Sequence, residues 1–192
     1  MNETTGPRNL ICDELISLIG YRGCGKTVVG EILAERLNWE FADTDDLVES
    51  KTNRTISEIF REDGEKTFRR LEARALDKAL AGVRRVVSVG GGAVLARRNR
   101  KALRTTGVCV WLTAPADELF RRIDADISSA TRRPSLIPTP GMEEVETLLQ
   151  ARLPVYEATA DCVVSTAGLS IKQVADAVLD RLGAAPNAGE SV

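Results

Sequence analysis

Leu15-Ile16-Ser17-Leu18-Ile19-Gly20-Tyr21-Arg22-Gly23-Cys24-Gly25-Lys26-Thr27 is the stretch whose reading decides the fold. The short apolar run Leu15–Ile19, closed by a glycine, predicts a buried strand. Gly20 to Thr27 matches Gly-x-x-x-x-Gly-Lys-[Ser/Thr] in full. Behind it Val29, Ile32, Leu33 and Leu37 recur at helical spacing. Strand, glycine loop and helix in that order form the context that a phosphate-binding loop requires. Glycines let backbone N–H groups turn inward around a phosphate, and the helix N-terminus adds unpaired N–H groups and partial positive charge. Arg22, Gly23, Cys24, Gly25, Lys26 and Thr27 therefore form the expected cradle for a nucleoside triphosphate. Lys26 reaches the β- and γ-phosphates, and Thr27 offers its hydroxyl to Mg²⁺.

Working outward, further strands are predicted at Trp39–Ala42, Val86–Val89, Val108–Leu112 and Cys162–Val164. Helices are predicted at Lys26–Leu37, Asp45–Lys51, Ile56–Glu62, Glu65–Ala81, Arg97–Arg104, Pro115–Asp124, Met142–Arg152 and Ile171–Leu182. Short apolar strands alternating with amphipathic helices imply an α/β fold, a parallel sheet covered on both faces. Ligands of such sheets collect beyond the carboxyl ends of the strands. A length of 192 residues suits one domain. The expected organisation is a single phosphate-loop domain over 13–183 with polar tails at 1–12 and 184–192. Residues 124–141 carry three prolines and the adjacent Arg132 and Arg133. So long a connection is expected to be functional, here a lid over the nucleotide.

Composition narrows the chemistry. Histidine is absent, so proton transfer falls to carboxylates, Lys, Tyr, Cys or water. A net charge of −2 gives no general affinity for nucleic acid. Of 26 cationic residues, 20 are arginine. An arginine-lined pocket for anions and simple compositional drift explain that bias equally well. Cys12, Cys24, Cys109 and Cys162 contain no Cys-x-x-Cys pair and suggest reduced thiols in a cytoplasmic protein. Cys109 and Cys162 are expected in the core. Cys24, at a helix start, is either a filler or an acidified thiol. No run approaches eighteen apolar residues, so no membrane span is expected.

Four further places could carry chemistry. Asp43, Asp45 and Asp46 cluster after the second predicted strand; either Asp45 or Thr44 caps the next helix, or the acids serve Mg²⁺ and an acceptor hydroxyl. Val86–Val89 ends without an acid, which leaves Asp43 as the better candidate near the metal. Gly90-Gly91-Gly92 is costly in backbone entropy and suits a close approach of ligand to main chain, or a tight turn. Arg69 could simply pair with Glu72 at i, i+3, and Arg152 could simply complement a helix C-terminus.

Taken together these pieces resemble shikimate kinase over roughly Leu15 to Leu182. The matching pieces are Gly20–Thr27, Phe41-Ala42-Asp43-Thr44-Asp45, Gly64-Glu65 with Phe68-Arg69-Arg70-Leu71-Glu72, Gly90-Gly91-Gly92, Arg133-Pro134, and Arg152-Leu153-Pro154-Val155-Tyr156. The resemblance implies a P-loop fold of the nucleoside-monophosphate-kinase type, with a five-stranded parallel sheet and a mobile lid. It implies transfer of the γ-phosphoryl of ATP to the 3-hydroxyl of shikimate, in the biosynthesis of chorismate and aromatic amino acids. It also implies roles. Lys26 and Thr27 hold phosphates and Mg²⁺, and Asp43 assists the metal through water. Asp45 binds shikimate hydroxyls and accepts a proton. Arg69 and Arg152 clamp the carboxylate, beside Gly90, Gly91 and Gly92. Arg133 closes with the lid, and Arg122 packs on adenine. The expected enzyme is a cytoplasmic monomer needing Mg²⁺, with no nucleic-acid or membrane partner. Ser135 departs from the family pattern, where a leucine usually follows the proline.

Overall fold

The computed structural model describes residues 15–126 and 141–183. The expected tails, Cys12, Arg133 and most of the expected lid lie outside the described residues.

Five strands form one parallel sheet: β1 Leu15–Ile19, β2 Glu40–Asp43, β3 Arg85–Ser88, β4 Val108–Thr113 and β5 Cys162–Ser165. Their spatial order is β2-β3-β1-β4-β5. The phosphate-loop strand is thus central. Leu18 stands beside Ser88 on one side and Val110 on the other. The helices are α1 Lys26–Leu37, α2 Thr44–Thr52, α3 Ile56–Leu80, α4 Arg97–Thr105, α5 Ala116–Ala125, α6 Met142–Glu157 and α7 Ile171–Leu182.

Strand periodicity of two divides the core. Ile16 and Leu18 face one side, packed with Leu33 of α1, Leu149 of α6 and Val178 of α7. Leu15 and Ile19 face the other, packed with Leu76 of α3, Leu103 of α4 and Tyr156 of α6. A smaller cluster of Val48, Ile56, Ile59 and Phe68 joins α2 to α3. The result is three layers, helices on both faces of the sheet. Full burial of each such aliphatic side chain contributes about 1.5–3 kcal/mol.

Two helix boundaries differ from expectation. The pieces expected at Ile56–Glu62 and Glu65–Ala81 form one element bent at Gly64, whose φ of 77° and ψ of 168° leave the helix. A Cβ there would meet nothing, so the positive φ, not space, calls for glycine. Met142–Arg152 was expected to stop ahead of Pro154. Instead α6 continues one turn past it, to Glu157. An internal proline costs about 3 kcal/mol through its missing N–H and ring clash. Burial of Tyr156, whose ring stacks 5.6 Å from that of Trp111, offsets that cost. Among the described residues no helix is long and apolar enough to cross a membrane.

Candidate active site

The loop between β1 and α1 winds through three left-handed or extended glycines, Gly20, Gly23 and Gly25, at φ 143°, 81° and 90°. A side chain on Gly20 would strike the Leu112 carbonyl at 2.3 Å, so close strand contact as well as φ excludes one. Lys26 is 9% exposed, and its Nζ donates to the carbonyls of Gly20 and Tyr21 at 3.0 Å each. The lysine that would meet phosphates is therefore folded back on its own loop. Cys24 is buried, with Sγ 3.7 Å from Lys26 Nζ. A Cβ on Gly20 would come within 2.8 Å of that sulfur, so the thiol fills the space that the glycine leaves. Its place is internal to the loop, which favours the filler reading of Cys24.

Parallel strands end on one edge and bring distant residues there. β2 ends at Asp43, where the carboxylate serves two partners. Oδ2 accepts from Thr27 Oγ1 at 2.9 Å, and Oδ1 accepts from the Asp45 N–H at 2.8 Å. Asp43 is thus both the N-cap of α2 and a neighbour of the phosphate loop. The cap expected on Thr44 or Asp45 falls to Asp43 instead, because the carboxylate at the strand end reaches the Asp45 N–H. Asp45 follows in the first turn of α2 and lines the same cleft. Thr44, a candidate cap from the sequence, is instead fully buried, and its Oγ1 accepts from the Gly90 N–H at 2.8 Å. It ties the end of β2 to the triple glycine after β3.

The glycine run makes room for the protein's own groups. A Cβ on Gly92 would lie 2.6 Å from Nη1 of Arg69, and one on Gly91 would lie 3.3 Å from the Gly20 carbonyl. Close approach was expected from a ligand. Here the guanidinium of Arg69 and the phosphate loop make it. Arg69 pairs with Glu65 and Glu72 at 3.0 and 2.9 Å. Glu72 is 1% exposed, so the pair expected at a surface lies half inside the protein. The Glu72 and Glu65 carboxylates hold the Arg69 guanidinium pKa above its ordinary value, against the desolvation that opposes it.

Arg152 is different. It is 8% exposed, and among the described residues it makes no ion pair. Its guanidinium carbon sits 5.4 Å from the centre of the Tyr21 ring, and its charge acts on the neighbouring Tyr156 hydroxyl. Tyr156 in turn donates to the Gly91 carbonyl at 2.7 Å. Burial pushes the Tyr156 hydroxyl well above the ordinary phenol range, so it stays a donor. The i, i+4 spacing of Arg152 and Tyr156 was readable, but only once α6 was carried through Pro154.

Arg122 reaches across from α5. It donates to the Gly23 carbonyl at 3.3 Å and to Thr166 Oγ1 and O at 2.9 Å each. It thereby places the segment after β5 against the loop. Leu169, Ile171 and Val174 supply an apolar wall to the cleft on that side. The cleft holds about 880 Å³ and is lined by Arg22 to Val29, Asp43, Asp45, Gly91 and Arg122 among others. Of the other cysteines, Cys109 is fully buried and Cys162 half-buried at the core edge. Burial raises both thiol pKa values, and Asp161 adds to the effect.

Among the described residues no cluster of three or more Cys, Asp or Glu could cage a metal by itself. The hydroxyl–carboxylate pair of Thr27 and Asp43 offers hard oxygens, two of the partners Mg²⁺ prefers when it keeps waters and phosphate oxygens as its other ligands.

A central phosphate loop, a five-stranded 2-3-1-4-5 parallel sheet and a cleft over its carboxyl edge define a P-loop phosphotransferase of the nucleoside-monophosphate-kinase type. The Shikimate kinase family profile matches residues 22–183. A shikimate kinase of Symbiobacterium thermophilum is 41% identical over 167 residues, 87% of this chain and 95% of that relative. One of Cereibacter sphaeroides is 42% identical over 176 residues, covering 92% and 86%. The solved shikimate kinase of Acinetobacter baumannii in complex with shikimate superposes with a TM-score of 0.82 at 32% identity, covering 91% and 96%. The chain belongs to the shikimate kinase family.

Proposed function

We propose that this chain transfers the γ-phosphoryl group of ATP to the 3-hydroxyl of shikimate, giving shikimate 3-phosphate and ADP on the route to chorismate. The observation that carries the reading is Arg152: a buried guanidinium beside the triple glycine with no ion-pair partner among the described residues. A buried cation is costly unless an anion meets it. A carboxylated acceptor supplies that anion at the correct edge of the sheet.

Phosphoryl transfer needs positioning and charge neutralisation more than covalent chemistry. ATP lays its phosphates in the loop Arg22–Thr27. Lys26 exchanges the Gly20 and Tyr21 carbonyls for phosphate oxygens and stabilises charge as it shifts to the leaving group. Thr27 would hold Mg²⁺ through its hydroxyl and Asp43 through water, and the ion would screen the phosphate charge. Asp45 orients the acceptor hydroxyl and takes its proton. Arg152 and Arg69 grip the acceptor carboxylate, with Arg69 turning from Glu65 while Glu72 anchors it. The backbone of Gly90, Gly91 and Gly92 borders the ring. Arg122, held to Gly23 and Thr166, borders the adenine beside the apolar wall of Leu169 and Ile171. Arg133, which lies outside the described residues, belongs to this reading as a further cation for the ATP phosphates. The reading is of a monomeric, cytoplasmic enzyme; the free thiols of Cys24, Cys109 and Cys162 are in keeping with a reducing compartment.

The test is ADP release by the purified chain with ATP and Mg²⁺, alone and with shikimate or gluconate. Stimulation by shikimate and not by gluconate is expected. Equal stimulation by gluconate overturns the acceptor assignment, and no stimulation by either overturns the enzyme reading.

A further inference from the structure

We propose that Tyr21 is a positioning residue for acceptor binding: its ring holds the Arg152 guanidinium against the phosphate loop. The proposal rests on the reading that Arg152 binds the acceptor carboxylate.

Tyr21 serves two cations at once. Its carbonyl accepts from Lys26 Nζ at 3.0 Å, which fixes the loop backbone. Its ring, 6% exposed, lies beneath the Arg152 guanidinium at 5.4 Å. That distance is within the range of about 6 Å over which a ring face attracts a cation, and the attraction strengthens where both partners are shielded from water. Arg152 also neighbours Tyr156, which is itself fixed by Gly91 and by stacking on Trp111. Two aromatic residues thus neighbour Arg152.

The comparison with Arg69 shows what this arrangement achieves. Glu65 and Glu72 orient Arg69 and also neutralise it, so an incoming carboxylate must compete with them. An aromatic face orients a guanidinium without cancelling its charge. Tyr21 therefore keeps Arg152 in place with its cationic field free for a ligand. Because the ring belongs to the phosphate loop, acceptor affinity is set partly from the nucleotide side.

The experiment is steady-state kinetics on Tyr21→Leu, Tyr21→Phe, Arg152→Ala and the Tyr21→Leu/Arg152→Ala double variant, each checked for folding by thermal melting. Tyr21→Leu should raise the KM for shikimate about 5- to 20-fold, far more than it changes kcat or the KM for ATP. Tyr21→Phe keeps the ring and should stay within about twofold of the parent. In the Arg152→Ala background the leucine should add no further rise in shikimate KM, because the two residues act as one unit. Should Tyr21→Leu fail to fold, Tyr21→Met replaces it with the same expectation. An unchanged shikimate KM, equal rises in both KM values, or Tyr21→Phe behaving like Tyr21→Leu overturns the proposal. Arg152→Ala with a normal shikimate KM would instead defeat the carboxylate reading beneath it. Arg152→Ala impaired beside a normal Tyr21→Leu would defeat the Tyr21 role alone.

Discussion

Thr27 Oγ1 lies 2.9 Å from Asp43 Oδ2, joining the start of α1 to the end of β2 across 16 residues of chain. The second carboxylate oxygen is occupied by the Asp45 N–H at 2.8 Å. Asp43 is therefore oriented from both sides. Asp43→Asn keeps the cap but removes the charge. It should raise the free Mg²⁺ needed for half-maximal rate about 10- to 100-fold, the usual cost of a lost partner in a metal's surroundings. Titration of activity with Mg²⁺ checks this, and an unshifted midpoint would remove Asp43 from the metal's neighbourhood.

Lys26 holds two loop carbonyls at 3.0 Å. Substitution by methionine keeps the length and loses the charge. The expected fall in kcat is about 10²- to 10³-fold, typical for one lost donor to developing charge. A melt should show a small stability loss as well, because the Gly20 and Tyr21 carbonyls lose their donor. Turnover near the parent's would exclude Lys26 from the transfer step.

In the proposed reaction Asp45 needs its charge to accept the substrate proton, whereas its backbone N–H serves Asp43 whatever the side chain. Asp45→Asn should lower kcat about 10²- to 10⁴-fold and leave nucleotide affinity unaltered. Single-turnover rates with calorimetric ATP binding separate the two. A normal rate would rule out general-base work by this residue.

Glu72 is 1% exposed and bonds Arg69 at 2.9 Å. Its removal strands a guanidinium that Glu65, itself largely exposed, holds poorly. Glu72→Ala should cost about 1–3 kcal/mol of stability in urea titration and raise the KM for shikimate. Lost stability with an unchanged KM would mean that Arg69 has no part in acceptor binding.

The sheet and most helices were legible because their signals are local. Ile171–Leu182 begins at a Ser170/Gln173 capping box and ends at a left-handed Gly183, and its expected bounds match the structure. Strand ends moved by about a residue, as at β2, which starts at Glu40 in place of Trp39. Pro154 misled at α6, because proline's local preference lost to the burial of Tyr156.

The sequence by itself determined the phosphate loop, since its eight residues are contiguous and their glycines, lysine and threonine act through nearest-neighbour geometry. It also determined the alternation of strands and helices that makes the sheet parallel. Which cation is already neutralised was decided only in three dimensions. Arg69 and Glu72 look like any surface pair until packing buries the glutamate, and Arg152 looks like a helix-end cation until Tyr21, 131 positions earlier in the numbering, comes beneath it. The same holds for Tyr156 with Gly91, 65 residues apart, and for Arg122 with Thr166, 44 apart. Such contacts form because parallel strands deliver all their carboxyl ends to one edge. The distances along the chain leave no local trace of them.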